Sequence, residues 1–233
     1  YLSVIEAIKS AGFAVGKKAK IIWIDTEKIE EGDEKEWKKL RSVRGVVVPG
    51  GFGSRGIEGK ISVAEYCRKE NIPYLGLCLG SQIMAIEFAR NVLGISKATS
   101  EEFDPQSEQK IVHFLPDQHE GMEKGGTLRL GSYPCHIKED TMAHEAYGSG
   151  EVSERHRHRY EFNLAFQEAF EKAGFVFSGL SPDKKLVEIV EISDHPFMLG
   201  SQFHPEFLSR PNRPHPLFFR FLHVCKSLSS SEK

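Results

Sequence analysis

Two hydrophobic patterns alternate along the first half of the chain. Apolar residues at helical spacing predict helices, and short apolar runs bounded by glycine or proline predict strands. The helical segments are LSVIEAIKSAGF (2–13), DEKEWKKL (33–40), GKISVAEYCRKEN (59–71) and SQIMAIEFARNVLG (81–94). The short apolar runs are KIIWID (20–25), GVVV (45–48) and IPYLGLC (72–78). Strands that alternate with helices predict parallel pairing through crossover connections.

The second half of the chain is richer in predicted strands. These are KIVHFLP (110–116), GGTLRLGSYPCHI (125–137), GFVFSGLS (174–181), LVEIVEI (186–192) and FMLGSQF (197–203), with helices at 164–174 and 216–228. We therefore predict one α/β domain over residues 1–233, with a doubly wound, mostly parallel central sheet flanked by helices and a β-richer second half on the same sheet. Such a unit normally opens on a strand, whereas this chain opens in a helix, so we expect an upstream first strand.

Composition narrows the classes of function. The chain has 233 residues and a formal net charge of -2, which provides no basic field for nucleic acid. No apolar run approaches the roughly 18 residues that a membrane span needs, and the start lacks the features of a signal peptide. The cysteines lack the paired spacing of a disulfide framework or zinc cluster: Cys67, Cys78, Cys135 and Cys225. We expect a cytoplasmic protein that acts on small polar molecules, without a metal.

The segment GLCLGSQ (76–82) places Cys78 between a predicted strand and a predicted helix. Gly76 and Gly80 allow a tight turn there, and a helix N-terminus favours the thiolate, which is the nucleophilic form. A buried structural cysteine is the usual alternative for this residue type. The segment alone leaves both open, and a partner base would decide between them.

The segment QFHPEF (202–207) contains the best candidate for that base. His204 and Glu206 are two residues apart, so both side chains point to one side of an extended backbone. A carboxylate beside an imidazole fixes its tautomer and stabilises the imidazolium. The alternative is a proline turn with a solvated glutamate.

The segment PGGFGSRG (49–56) has glycines at the spacing G-x-G-x-x-G. This is a weak dinucleotide-binding signal, because the next strand ends in Cys78 rather than in an acidic residue. An oxyanion hole built from the backbone amides of Gly51 and Leu79 is the better use, since glycine lets an N–H approach a developing negative oxygen. A plain loop stays possible.

Five consecutive basic residues form the segment RHRHR (155–159), flanked by Glu154 and Glu161. They are too few for a nucleic-acid arm, and His-x-His without further ligands is a poor metal site. The alternatives are a solvated basic strand and a guanidinium that binds a substrate carboxylate with two hydrogen bonds.

Taken in order, these motifs resemble the class I (triad) glutamine amidotransferases over essentially the whole chain. The elbow cysteine and H-P-E mark the class, while GGFGSRG, EFDP, GGTLRLG and RHRHRYE are similar to the glutaminase domain of CTP synthases. The resemblance implies Cys78 as the nucleophile, His204 as the base and Glu206 as its orienting group, with Gly51 and Leu79 as the oxyanion hole. The implied glutamine-binding residues are Gly51, Phe52, Leu79, Gly80, Ser81, Gln82, Glu102 and Arg159.

The same resemblance implies hydrolysis of L-glutamine to glutamate and ammonia in the cytoplasm. A synthetase domain absent from this chain would use the ammonia, with ATP and Mg²⁺, to convert UTP to CTP, and we expect no cofactor in this domain itself. GTP, the family's allosteric activator, is expected near Phe52 and Arg55. The full-length protein is expected to be a homotetramer, with neither nucleic acid nor membrane as a partner. Ser81 departs from the family's more common methionine at a position that contributes mainly backbone.

Two other functions stay open. The first is another cysteine hydrolase of similar fold, such as a γ-glutamyl peptidase or the glutaminase of another amidotransferase. The second is a catalytically silent regulatory or filament-forming module, which intact Cys78, His204 and Glu206 disfavour.

Overall fold

The computed structural model describes residues 1–114 and 129–228. Its helices are α1 (Leu2–Ala14), α2 (Thr26–Glu30), α3 (Glu34–Arg41), α4 (Ile57–Lys69), α5 (Leu79–Asn91), α6 (Met142–Tyr147), α7 (Gln167–Lys172) and α8 (Pro216–Leu228). Short 3-10 turns cover Leu164–Phe166 and Pro205–Phe207. Its strands are β1 (Val46–Val48), β2 (Tyr74–Leu77), β3 (Thr99–Ser100), β4 (Lys110–Phe114), β5 (Arg129–Ile137), β6 (Glu151–His158), β7 (Tyr160–Phe162), β8 (Phe175–Leu180), β9 (Val187–Ile192) and β10 (Met198–Ser201).

A central sheet of seven strands runs in the order β1-β2-β10-β9-β8-β5-β6 through the described residues. The predicted α/β class is confirmed. Pairing is parallel for β1 with β2 and for β2 with β10, and antiparallel across the rest of the sheet. The sheet is therefore mixed, and the prediction of a mostly parallel sheet is wrong in this respect, because the β-rich second half joins it with strands of opposite direction.

One predicted strand lies outside the central sheet. The described part of the predicted strand 110–116 forms β4, but β4 pairs with β3 and β7 in a separate three-stranded sheet rather than in the central one. The end of that segment and the start of the predicted strand 125–137 lie outside the described residues, as does part of the motif GGTLRLG.

The apolar run 20–25 does not form a strand. It lies along a groove of about 1360 Å³ whose opposite wall is β1, the first strand of the central sheet. A strand needs a neighbouring backbone at about 4.8 Å for its hydrogen bonds. The groove separates this run from β1, so the two backbones do not pair.

Helices cover both faces of the central sheet, as predicted. One apolar core packs α4, α5 and α7 against the sheet, with Ile61, Ile83 and Phe170 fully or almost fully buried. The other core packs α1, α6 and α8 on the opposite face, around residues such as Phe197 and Phe218. The sheet is thus held from both sides.

Three glycines let the backbones of β1, β2, β10 and α5 approach one another. A Cβ on Gly80 would lie 2.1 Å from the carbonyl oxygen of Val48. A Cβ on Gly76 would lie 2.5 Å from the carbonyl oxygen of Gly80, and one on Gly200 would lie 2.6 Å from Oγ of Ser81. Because these distances are shorter than non-bonded atoms allow, only glycine fits at these positions.

We expect Gly80→Ala to lower the free energy of unfolding by about 3 kcal/mol, because its Cβ would collide with backbone that cannot rotate away. The matched control is Gly150→Ala, whose Cβ would have its nearest neighbour 3.9 Å away. It should change stability by no more than about 0.5 kcal/mol. Urea unfolding of both variants measures the difference, and equal midpoints would contradict the steric argument.

Candidate active site

Cys78 occupies the turn between β2 and α5 in a conformation that is unusual for a residue with a side chain. Its φ is 51° and its ψ is -102°. The cysteine N–H donates to the carbonyl oxygen of Ser201 at 2.7 Å, and its carbonyl oxygen accepts from the N–H groups of Ser81 and Gln82. A positive φ outside glycine costs free energy of order 1 kcal/mol or more, and these bonds hold it in place. The predicted elbow is therefore formed.

His204 and Glu206 follow β10 and meet at this elbow. Nδ1 of His204 lies 2.8 Å from Oε1 of Glu206, while the backbone N–H of His204 donates to the carbonyl oxygen of Arg155. Cys78 lies beside the same ring, because a Cβ on Gly50 would approach both residues. Since Nδ1 bonds Glu206, Nε2 is the ring nitrogen left to serve the sulfur. Phe207 stacks on the imidazole at 5.0 Å between ring centroids.

The imidazole of His204 is strongly biased towards its charged form. Burial by itself lowers the pKa of His204, but hydrogen bonds and Coulomb attraction from Cys78 and Glu206 outweigh it and raise the pKa to about 10. At neutral pH the ring is an imidazolium held between the two groups. Such a ring favours negative charge on the sulfur next to it.

The loop after β1 brings its first glycines close to Cys78, Leu79 and His204. A Cβ on Gly50 would lie 2.8 Å from Cε1 of His204 and 3.5 Å from Cβ of Cys78. A Cβ on Gly51 would lie 3.2 Å from Cδ2 of Leu79. The two residues of the predicted oxyanion hole are thus neighbours, and their joint role stays a prediction. Phe52, the next residue, is 63% exposed.

Glu102 and Arg159 lie together at the edge of the site. Oε1 of Glu102 accepts from the N–H of Gly53 at 2.8 Å. Burial raises the pKa of Glu102, opposed by this N–H and by the charge of Arg159. Within the described residues, Nε of Arg159 is buried without a hydrogen-bond partner. One acidic and one basic group are therefore close to each other beside the loop.

The other predicted glutamine-binding residues contact the protein itself. Gly80 lies against β1, and Ser81 packs on Gly200 of β10. Nε2 of Gln82 donates to Oε1 of Gln202 at 3.1 Å, and Gln82 is almost fully buried. Glutamine binding by these side chains stays a prediction.

Sequence reasoning missed one neighbour of Cys78. Nε2 of Gln202 donates to Sγ of Cys78 at 3.7 Å. The residue stands at the start of the QFHPEF motif, but a glutamine carries no acid, base or nucleophile, so its residue type gave no signal of a role.

The basic segment 155–159 is half solvated and half buried. Arg155 and Arg157 are exposed on β6, whereas His156 and His158 are 2% exposed each and lie 2.8 Å apart, from Nδ1 to Nε2. Period-two alternation along the strand accounts for this division. Burial, helped by the charge of Arg129, lowers the pKa of His156 to about 2 and that of His158 to about 3.

Buried carboxylates surround these histidines. Arg129 lies 2.6 Å from Glu188 and 3.7 Å from Glu161, measured from nitrogen to oxygen.

Over residues 1–114 and 129–228, no group of His, Cys, Asp and Glu has an arrangement that could hold a metal ion. No helix in the same ranges is long and apolar enough to cross a membrane.

A comparison with protein families decides the class. The family described as "Glutamine amidotransferase class-I" matches residues 1–224. The chain belongs to the class I glutamine amidotransferases.

The relatives of this amidotransferase include CTP synthases that share more than half of its aligned residues. It is 55% identical over 228 residues to a CTP synthase from Dehalococcoides mccartyi, aligned over 98% of this chain and 42% of the relative. It is also 55% identical to a CTP synthase from Rubrobacter xylanophilus, over 97% of this chain and 40% of the relative. The amidotransferase thus spans less than half the length of these proteins.

Solved structures support the same relationship to CTP synthases. The glutaminase domain of CTPS from Trypanosoma brucei, solved with bound acivicin, matches with a TM-score of 0.92 and 36% identity, over 97% of this chain and 88% of that one. The resemblance to CTP synthase glutaminase domains that the motifs indicated is confirmed. A GMP synthase subunit from Thermoplasma acidophilum, at 19% identity and a TM-score of 0.60, shares the fold.

The buried histidines make the stability of this amidotransferase depend on pH. The unfolded chain protonates His158 below about pH 6.5, whereas the folded chain, with a pKa of about 3, does not. The free energy of unfolding therefore falls as the pH falls below the pKa of the histidine in the unfolded chain. Between about pH 7 and pH 5, we expect the free energy of unfolding to fall by about 2 kcal/mol more in the wild type than in His158→Gln. Urea unfolding across this range provides the test, and parallel curves for the two proteins would contradict it.

Proposed function

We propose that the chain hydrolyses L-glutamine to glutamate and ammonia through the triad Cys78, His204 and Glu206. The observation that supports it best is a buried imidazole that bonds Glu206 through Nδ1 and lies beside Cys78. A nucleophile, a base and an orienting carboxylate are linked in series at a strained turn, which is the arrangement that acyl transfer needs.

In the first half-reaction, the thiolate of Cys78 attacks the γ-carboxamide carbon of glutamine and a carbon–sulfur bond forms. The carbonyl oxygen becomes an oxyanion, which the amides of Gly51 and Leu79 would stabilise. Protonated His204 gives its proton to the amide nitrogen, the carbon–nitrogen bond breaks and ammonia leaves. A glutamyl thioester on Cys78 remains.

In the second half-reaction, His204 is neutral and accepts a proton from water, which attacks the thioester carbon. The carbon–sulfur bond breaks, and glutamate leaves with the oxygen of that water. The thiolate and the imidazolium are restored. Glu206 stabilises the ring each time it becomes charged, which is the function of the carboxylate in such triads.

The zwitterionic end of glutamine requires one partner of each sign. Arg159 would bind the α-carboxylate, and its unpaired buried Nε supports this assignment. Glu102 would bind the α-amino group while it holds the loop through Gly53. The remaining predicted contacts would come from Phe52 and from the first turn of α5, through Leu79, Gly80, Ser81 and Gln82.

The ammonia would serve a synthetase domain in the same polypeptide. The lengths of the CTP synthase relatives support this, since the chain covers 42% of the one from Dehalococcoides mccartyi. In that setting ATP with Mg²⁺ would activate UTP for conversion to CTP in the synthetase domain, and the whole protein would be a cytoplasmic homotetramer. Allosteric GTP would bind near Phe52 and Arg55, which are both well exposed on the loop after β1.

A first strand from a segment before Tyr1 would fill the groove between the run 20–25 and β1. The groove has about 1360 Å³ of space, and its lining includes Val47, Ile22 and the first residue of the chain. An inserted parallel strand would pair with the outer edge of β1 and with the extended run opposite it. Because Gly50 and Gly51 also line this groove, such a strand would support the oxyanion loop.

We expect Cys78→Ala to reduce glutaminase activity by at least about a thousandfold, because the substitution removes only the nucleophile. Thermal stability should not fall. In the full-length protein the variant should lose CTP synthesis from glutamine and keep synthesis from added ammonia. Loss of both activities in a folded variant would contradict the division of roles.

Two controls separate the remaining alternatives. A chloroketone analogue of glutamine should label Cys78 in the wild type, with the site located by mass spectrometry, and absence of labelling would favour a silent module. Faster turnover of γ-glutamyl peptides than of free glutamine would favour a peptidase instead.

For substrate binding, we expect Arg159→Lys to raise the KM for glutamine by about tenfold, because lysine keeps the charge but cannot form two parallel hydrogen bonds with a carboxylate. Glu102→Gln should raise KM in the same way by removing the partner of the α-amino group. Arg157→Lys, on the exposed side of β6, is the matched control. Steady-state kinetics provides the test, and an unchanged KM in both site variants would place the substrate elsewhere.

A further inference from the structure

The carboxamide of Gln202 is directed at the sulfur of Cys78 from within the protein. Gln202 is 4% exposed, and its Nε2 lies 3.7 Å from Sγ of Cys78. Its backbone N–H donates to the carbonyl oxygen of Glu188 at 2.8 Å, which fixes the main chain beside β9. The side chain therefore reaches the nucleophile from an anchored position just after β10.

The hydrogen-bond network determines which end of that amide faces the sulfur. Nε2 of Gln82 donates to Oε1 of Gln202 at 3.1 Å and to the carbonyl oxygen of Tyr160 at 3.4 Å. A backbone carbonyl can only accept, so Gln82 must present its NH₂ group to it. The same NH₂ group then faces Oε1 of Gln202, which leaves the NH₂ group of Gln202 for Cys78.

A donor in this position distinguishes the two forms of the sulfur. A thiol is a weak acceptor, whereas a thiolate accepts a charge-assisted bond that is roughly twice as strong as a neutral one. The bond is present before glutamine attacks, weakens when the sulfur is acylated, and returns when the thioester breaks and the thiolate leaves. It thus stabilises both the nucleophile and the leaving group.

We propose that Gln202 is a catalytic residue that donates to the thiolate of Cys78 alongside His204, and that Gln82 is a positioning residue that orients its amide. The proposal rests on the nucleophilic role of Cys78 under the proposed function. It gives Gln82 a role towards the sulfur in addition to the contact with glutamine expected from the sequence.

The test is the rate of alkylation of Cys78 by iodoacetamide as a function of pH, with the site located by mass spectrometry. Burial raises the pKa of the Cys225 thiol to about 12 and also raises the pKa of Cys67 and Cys135, so these three thiols should react slowly. Gln202→Met, which keeps the size but lacks the donor, should move the pH midpoint of alkylation upwards by about one unit. Gln82→Met should move it in the same direction by less.

Gln202→Asn keeps a neutral amide but shortens the side chain by one carbon, which withdraws the donor from the sulfur and should also raise the midpoint. It decides the question if Gln202→Met fails to fold. Gln167→Met, on α7, is the control and should leave the midpoint unchanged. A wild-type midpoint in a folded Gln202 variant overturns the proposal. Failure of wild-type Cys78 to react overturns the proposed function instead.

Discussion

The close backbone approach of β1, β2, β10 and α5 is the constraint on which the site depends. Gly76, Gly80 and Gly200 remove the side chains that would otherwise hold these elements apart. The resulting contact places the N-terminus of α5 directly after β2 and lets Ser201 bind the backbone N–H of Cys78. A cysteine with positive φ is stable there because packing on both sides over-determines the turn.

The same contact brings charged and polar groups from distant parts of the chain to one place. β10 pairs with β2 in parallel register, so both strands end at the same edge of the sheet, and His204 emerges beside Cys78. Glu206 then compensates the buried imidazolium, since an unpaired buried charge would cost several kcal/mol. Gln202, between β10 and His204, adds a further polar group beside the sulfur of Cys78.

The loop after β1 differs from this rigid centre. Gly50 and Gly51 contact His204 and Leu79, but Phe52 is largely exposed and Glu102 anchors the loop through a single N–H at Gly53. The groove beside β1 reaches the same glycines. A donor for an oxyanion must be placed accurately, to within about 1 Å, so the position of this loop matters for the role proposed for Gly51.

The sequence by itself determined the local features of this amidotransferase. Apolar periodicity predicted its main helices, and the residue types in GLCLGSQ and QFHPEF supplied the candidates for the triad, because a nucleophile and a base need particular functional groups. Only the tertiary structure decided what depends on distant neighbours. It made the sheet mixed, left the run 20–25 unpaired, buried His156 and His158 between exposed arginines, and directed Gln202 at Cys78. Strand direction and hydrogen-bond partners are properties of the packed chain, and no residue type specifies them alone.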